Sequence, residues 1–194
     1  MKNETQRMIN EGRDIENKTI PKQIESACLE ALSHYPELDK KKIVFRFQRT
    51  AGSTMFAQPL PNFLMKSVAS RGYIIKISNN LDLEDGIRIV DMPHNVLVGW
   101  IGHELGHVMD YEQRSNWQLI KFGIGYVFSA RYRIGSEKVA DLFAIEHGLG
   151  EFILETKNYI LDHSTISEDY KDKIKNIYLS PEETLAMIER MDPS

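Results

Sequence analysis

Apolar and polar positions in the first half of the chain predict one helix followed by several short strands. An apolar stripe at helical spacing predicts a helix from about Pro21 to Tyr35, which ends there because a residue before proline disfavours helical backbone. Alternating positions then predict strands at residues 43–47, 55–57, 73–78 and 87–90. The pattern at 73–78 is the clearest. It fits either a half-buried core strand or an exposed edge that pairs with an extended peptide.

From residue 93 onward the apolar positions predict an almost wholly helical half. Asp91 is the expected N-cap of a helix that runs to about Glu112. A last helix is expected to begin at Ser180, because a first-turn proline and a capping-box glutamate follow this serine. Between them, helices are expected at residues 135–147, 151–163 and 167–179. The predicted fold class is therefore α+β, with a small mostly antiparallel sheet and a mainly helical C-terminal half.

The composition is that of an ordinary globular protein. The chain has 194 residues, of which 42% are hydrophobic and 27% charged. This fits a single domain over residues 1–194, with residues 1–18 as a flexible N-terminal segment. The net charge of −4 and the lack of a basic stripe argue against nucleic acid as a partner.

Three features bear on the compartment. Residues 1–14 contain no apolar segment of the kind that a secretory signal needs. The longest apolar run, residues 117–130, is too short to cross a bilayer, so no transmembrane segment is expected. The single cysteine, Cys28, lies in the apolar stripe of the first helix and is expected in the core. A lone cysteine fits a reducing compartment, so we expect a cytoplasmic protein.

The chemistry of the chain is indicated by residues 103–107, whose sequence is His-Glu-Leu-Gly-His. His103 and His107 are four positions apart, so both imidazoles lie on one face of a helix and can bind the same metal ion. Glu104 lies beside that face, where it can accept a proton from a water that the metal activates. The motif predicts a Zn²⁺ site in a hydrolase, with Glu104 as the general base.

A catalytic zinc site uses three protein ligands, so one more residue is needed. One class of zinc peptidase has glycine and histidine where this chain has Asp110 and Gln113, which excludes that class. Residues 137–141, Glu-Lys-Val-Ala-Asp, resemble the Glu-x-x-x-Asp signature of the gluzincin metallopeptidases. The resemblance extends to soluble relatives of the membrane prenyl-protein and heat-shock peptidases, and to the smaller repressor-cleaving peptidases. It covers roughly residues 93–148.

The resemblance implies a zincin-like fold in which Glu137 is the third metal ligand and Asp141 orients a ligand histidine from outside the metal's coordination shell. The competing assignment makes Asp141 the ligand and Glu137 the outer residue. The metal would polarise the substrate carbonyl, and a further donor to the oxyanion is expected. The candidates by proximity in sequence are Tyr126, Arg131, Tyr132, Arg133 and His147.

Small residues predict how the two motif helices meet. Gly99, Gly102 and Gly106 line one side of the first helix, and each costs about 0.5–1 kcal/mol relative to alanine. Such a cost suggests a close crossing by a second helix. The helix that carries Glu137 offers small residues at matching spacing, namely Ala140, Ala144 and Gly148.

The sequence therefore predicts a zinc metallopeptidase that cleaves a peptide or protein substrate with metal-activated water. Two alternatives remain open. One is a zincin-fold protein that binds or regulates without catalysis, and the other is a hydrolase of another amide. Glu104 favours the enzyme, since a site that only binds metal needs the ligands but not this base.

Overall fold

The computed structural model describes residues 12–15, 17–50, 53–80 and 87–191. Of the predicted flexible segment 1–18, residues 1–11 and 16 lie outside the described residues. Residues 12–15 and 18 belong to strands. The fold class is α+β, as predicted.

One sheet holds the five described strands, in the order β1-β2-β3-β5-β4. The prediction of a mostly antiparallel sheet is wrong, because the sheet is mixed: β2–β3 and β3–β5 pair in parallel, and β1–β2 and β4–β5 antiparallel. A helix connects β2 to β3, and such a crossover makes neighbouring strands parallel. The strands are β1 (Gly12–Ile15), β2 (Lys18–Pro21), β3 (Ile43–Phe47), β4 (Met55–Pro59) and β5 (Tyr73–Ile77).

Seven α-helices occur in the described part of the chain, six of them after residue 93. They are α1 (Glu25–Ser33), α2 (His94–Glu112), α3 (Asn116–Phe128), α4 (Ala130–Ala144), α5 (Gly150–Asp162), α6 (Glu168–Ile177) and α7 (Pro181–Met191). A π-helical turn, Ile145–Leu149, joins α4 to α5. The predicted cap of α7 is confirmed, since the Ser180 hydroxyl accepts a hydrogen bond from the Glu183 N–H at 3.1 Å.

Two local predictions are wrong. Residues 89–91 form a 3₁₀ turn rather than part of a strand, and Arg88 makes only an isolated bridge with Asn80. Asp91 does not cap α2, because its carboxylate accepts a hydrogen bond from the Arg88 guanidinium at 2.6 Å, and α2 begins after Pro93. A short apolar run of four residues therefore does not distinguish a strand from a helical turn.

Helix α2 lies at the centre of the molecule. It packs against α1, α4, α5 and β4, and most of its residues are buried on every side. Its last turn is held by Arg71, whose buried guanidinium donates to the carbonyl oxygens of Tyr111 and Arg114 at 2.9 Å each. Tyr35 fixes the middle of the helix by donating to the Gly102 carbonyl at 2.7 Å. Cys28 is fully buried, as predicted.

Helix α3 contains most of the apolar run that the sequence shows at 117–130. Trp117, Val127 and Phe128 are 76%, 67% and 84% exposed, so much of this run faces outward. Among the described residues, no helix is both long and apolar enough to cross a membrane.

Candidate metal centre

Three side chains that the sequence singled out converge between α2 and α4. Glu137 Oε2 lies 3.0 Å from His103 Nε2 and 3.3 Å from His107 Nε2. One ligand atom from each residue lies within 4.8 Å of the other two, and all three side chains are buried. Histidines four apart on α2 supply two of these atoms, and the facing helix supplies the third. This buried group could hold a metal ion.

The two helices approach closely because glycine stands at their crossing. A Cβ atom on Gly106 would lie 2.3 Å from the Ala140 carbonyl oxygen, a distance that real side chains do not tolerate. The prediction that the glycine stripe is the close-contact side of α2 is confirmed. Only Gly106 faces α4, however: a Cβ on Gly99 would meet the Phe152 carbonyl oxygen of α5 at 2.2 Å, and one on Gly102 the Leu149 side chain at 2.6 Å.

Asp141 lies on the far side of His103 from the converging atoms. Its Oδ1 is 2.9 Å from His103 Nδ1, while Glu137 contacts Nε2 of the same ring. The other oxygen, Oδ2, accepts hydrogen bonds from Lys157 Nζ at 2.7 Å and from the Leu179 N–H at 3.1 Å. Both oxygens are therefore engaged away from the ligand cluster. This geometry favours Glu137 over Asp141 as the third ligand.

The buried carboxylates make this region favourable for positive charge. Burial lowers the pKa of His103, but hydrogen bonds and charges from Asp141 and Glu137 outweigh burial and raise that pKa to about 10. Burial raises the pKa of Glu137, but the charges of His107 and His103 and their hydrogen bonds hold it well below its usual range. A cation in the cluster, whether a proton or a metal ion, is stabilised by these carboxylates.

Glu104 lies next to the cluster and is 4% exposed. Its Oε2 atom has no hydrogen-bond partner among the described residues, which is uncommon for a buried carboxyl oxygen. Burial raises the pKa of Glu104, and the charges of His107 and His103 offset this only in part. A backbone hydrogen bond from Ala57 of β4 also reaches the carboxyl group. The arrangement leaves one basic oxygen available for a ligand.

Aromatic residues enclose the cluster. The Tyr126 hydroxyl donates to Glu137 Oε1 at 2.6 Å, so Glu137 is held from its second oxygen. The Tyr178 ring lies 5.3 Å from the His103 ring, and the Tyr111 ring stacks on His107 at 6.1 Å. These rings exclude bulk water and thereby strengthen the electrostatic interactions inside the site.

Only one of the five oxyanion candidates touches the ligand cluster, namely Tyr126. Arg133 lines a cleft beside Glu137. Arg131 and Tyr132 line a separate surface hollow around Phe122. His147 lies away from the site and stacks on Tyr35 with ring centroids 4.5 Å apart. Proximity in sequence did not predict which candidates contact the site, because successive residues of α3 and α4 point to different sides of each helix.

Several residues that shape the site were not predicted from the sequence. Tyr111 follows His107 by four positions, so helical spacing alone would have placed it on the ligand face. Lys157 and Tyr178 gave no such signal. They reach the site from α5 and from the residue after α6, and only the packing of the C-terminal helices brings them there.

A cleft and a small cavity border Glu137. A narrow cavity of about 10 Å³ is bounded by Glu104, His107 and Glu137, and a cleft of about 550 Å³ opens beside it. Tyr126, Glu137 and Tyr178 line both spaces, so the cleft lies next to the cavity at Glu104. The cleft is within the usual size range of ligand sites, whereas the cavity admits only a very small group.

Strand β5 is not an edge strand, because β3 and β4 flank it on its two sides. The alternative in which residues 73–78 pair with a peptide is therefore excluded. A core strand is confirmed, but it is buried on both faces rather than half-buried, with only Lys76 partly exposed. The edge strand near the site is β4, where the Ala57 carbonyl oxygen accepts a hydrogen bond from Tyr111 at 3.2 Å.

Comparisons of the chain with protein-family models, curated proteins and solved structures find no match. The resemblance to gluzincin metallopeptidases therefore depends on the residues of α2 and α4 alone, and it stays a prediction.

Proposed function

We propose that the protein is a zinc-dependent hydrolase that cleaves peptide bonds, with Glu104 as the general base. The observation that supports this most is the buried Glu104 carboxyl group, which keeps Oε2 without a partner directly beside three convergent ligand atoms. A site that only binds metal has no need for such an oxygen. Leaving it unpaired costs about 1–3 kcal/mol, so a functional reason is expected.

The donor set fits zinc. Two imidazole nitrogens and one carboxylate oxygen form one of the known sets of three protein ligands in catalytic zinc sites, which keep a further position open. Zinc held by His103, His107 and Glu137 would supply Lewis acidity, which activates water and polarises a carbonyl group. The gluzincins have the same spacing of motif residues as α2 and α4, and this analogy also supports zinc as the metal.

Glu104 then moves the proton. Its Oε2 accepts a proton from the attacking water and passes it to the nitrogen of the departing amine, so the carboxylate is restored after each cycle. A general base works best when its pKa is close to the working pH, and burial shifts the pKa of Glu104 upward in that direction. The hydrogen bond from Ala57 fixes the orientation of the carboxyl group.

Other residues hold the ligands in place. Asp141 accepts the Nδ1–H of His103, which leaves Nε2 of that ring with its lone pair toward the cluster. Tyr126 holds Glu137 by Oε1, so that Oε2 faces the histidines. The cleft beside Glu137 has the volume for a peptide segment that places its carbonyl at Glu104.

Metal removal tests this function. The purified protein is stripped with a chelator, reloaded with zinc and incubated with peptides from a proteome digest, and cleavage is read by mass spectrometry. We expect cleavage by the zinc-loaded protein, loss on stripping, and no recovery with His107→Ala. Cleavage that survives complete metal removal would contradict the proposal. Turnover of a non-peptide amide, with no peptide cleaved, would replace the proposed substrate class.

A further inference from the structure

The cleft beside Glu137 collects positive charge. Four basic side chains line it, contributed by the segment after β3, by β5, by α4 and by α6: Arg49, Lys76, Arg133 and Lys173. Among the described residues that line the cleft, Glu137 is the one acidic residue, and its Oε2 faces the two histidines. The chain as a whole carries a net charge of −4, so this local excess of cations runs against the overall charge.

Three of these cations have no carboxylate within ion-pair distance in the described part of the chain, namely Arg49, Lys76 and Arg133. Two exposed cations elsewhere in the described part of the chain are in ion pairs. Arg88 lies 2.6 Å from Asp91, and Lys175 lies 3.3 Å from Asp172. Like charges from separate elements repel each other when they share a concave surface. Their convergence is stabilised when an anionic ligand occupies the cleft.

We propose that the cleft binds acidic side chains of a peptide, so that the enzyme prefers substrates with Asp or Glu close to the cleaved bond. The inference rests on the proposed function and names the substrate class of the same site. The cleft and the cavity share Glu137 and Tyr126 in their walls, so carboxylates bound in the cleft would lie within a few residues of a peptide carbonyl at Glu104. Concave surfaces of one sign also raise the local concentration of oppositely charged substrate.

The charge pattern favours an acidic peptide over a nucleic acid. A phosphate backbone needs positive charge along its whole path, because each phosphate contact releases counterions. Here four cations line one cleft of about 550 Å³ on a protein whose net charge is −4. Such a volume fits a few amino-acid side chains.

Binding to a matched pair of probes tests the inference. Fluorescence anisotropy compares a short fluorescein-labelled peptide rich in glutamate with its counterpart in which each glutamate is glutamine. The protein carries Glu104→Gln, so that the probe stays intact. The double variant Lys76→Gln/Arg133→Gln removes two charges from the cleft. The double variant Arg88→Gln/Lys175→Gln removes two charges elsewhere and keeps the same net charge.

We expect tighter binding of the glutamate probe than of the glutamine probe, and a loss of about three- to tenfold in the cleft variant but not in the matched variant. Equal affinity for the two probes, or equal loss in the two variants, would overturn the inference. Tighter binding of a labelled single-stranded DNA would also overturn it. Charge-dependent peptide binding without hydrolysis by the wild type would contradict the proposed function alone, whereas hydrolysis without charge-dependent binding would contradict this inference alone.

Discussion

The Nδ1 atom of His103 lies 2.9 Å from Oδ1 of Asp141, and both side chains are almost completely buried. The hydrogen bond joins the centre of α2 to α4 and fixes the ring so that its other nitrogen faces Glu137. Asp141 is held in turn by Lys157 of α5 and by the backbone of Leu179. The C-terminal helices are therefore connected to the ligand cluster through the Asp141 carboxylate, in addition to the contact between the Tyr178 and His103 rings.

The two acids of α4 are expected to differ in their effect on metal binding. Glu137→Ala removes a ligand oxygen and should abolish metal binding. Asp141→Asn removes an orienting charge and should retain metal, with affinity weaker by about 10–100-fold. Metal analysis after dialysis, followed by competition with a chromophoric chelator, measures both effects. The reverse ranking would mean that Asp141 is the ligand.

The helix crossing predicts opposite effects for two glycines. Gly106→Ala would place a methyl group 2.3 Å from the Ala140 carbonyl oxygen, so we expect a loss of about 1–3 kcal/mol in the free energy of unfolding. Gly135→Ala is the matched control within α4, because its added methyl meets nothing within 4 Å. It should stabilise the protein by about 0.5–1 kcal/mol. Urea unfolding compares the two. Equal effects would show that α2 and α4 are not closely packed at Gly106.

The buried ion pair of Lys157 and Asp141 predicts a large effect on stability. Lys157 Nζ lies 2.7 Å from Asp141 Oδ2 and 3.0 Å from the Thr184 hydroxyl oxygen. Lys157→Met leaves a buried carboxylate without its cation and should cost about 3–5 kcal/mol of unfolding free energy. Lys138→Met breaks an exposed pair with Glu183 and should cost less than about 1 kcal/mol. If urea unfolding showed similar losses of unfolding free energy for the two variants, the role given to Lys157 would be contradicted.

The chain stripped of metal should lose stability as the pH rises. The pKa of His103 is about 10 in the folded chain and near 6.5 in an unfolded one, so the folded state binds the extra proton between these values. The stabilisation from this proton is complete below pH 6.5 and is lost as the pH rises toward 10. Because one proton is involved, the free energy of unfolding falls by at most about 1.4 kcal/mol per pH unit.

Urea unfolding in excess chelator measures this decline from pH 6.5 to 7.5, below the range in which the tyrosines and most of the Cys28 thiol of the unfolded chain titrate. His103→Gln is the matched control and should show a flatter dependence. Identical slopes for the two proteins would contradict the assignment of the bound proton to His103.

The spacing of apolar residues was sufficient to predict helices and strands that bury one regular face. It was not sufficient for segments whose conformation depends on contacts with other parts of the chain. Residues 43–47 and 73–77 form the predicted strands, because alternating side chains enter the core. Residues 87–90 contain apolar side chains as well, yet they form a turn once Asp91 bonds to Arg88. The parallel pairing of β2 with β3 was not foreseen, since a strand pattern does not show its neighbour.

The spacing of residues on α2 predicted the metal-binding side chains. The residues that reach the site from other helices could not be predicted in this way. Two histidines four residues apart share a face whatever the rest of the fold, and Gly106 indicated a close crossing before its partner Ala140 was known. The roles of Lys157 and Tyr178 depend on how α5 and α6 pack, which no local pattern contains. The positive cleft likewise arises from residues of four separate segments.

The most direct test of the central claim is a comparison of wild type with Glu104→Gln on peptides from a proteome digest, with zinc content and unfolding measured on the same samples. Glutamine is nearly isosteric but accepts no proton, and general-base catalysis contributes about 10²–10⁴-fold to a rate. We predict unchanged zinc content, similar stability and cleavage reduced by at least about 10²-fold. Equal cleavage by the two proteins at equal zinc content would show that Glu104 is not the base and would contradict the proposed mechanism.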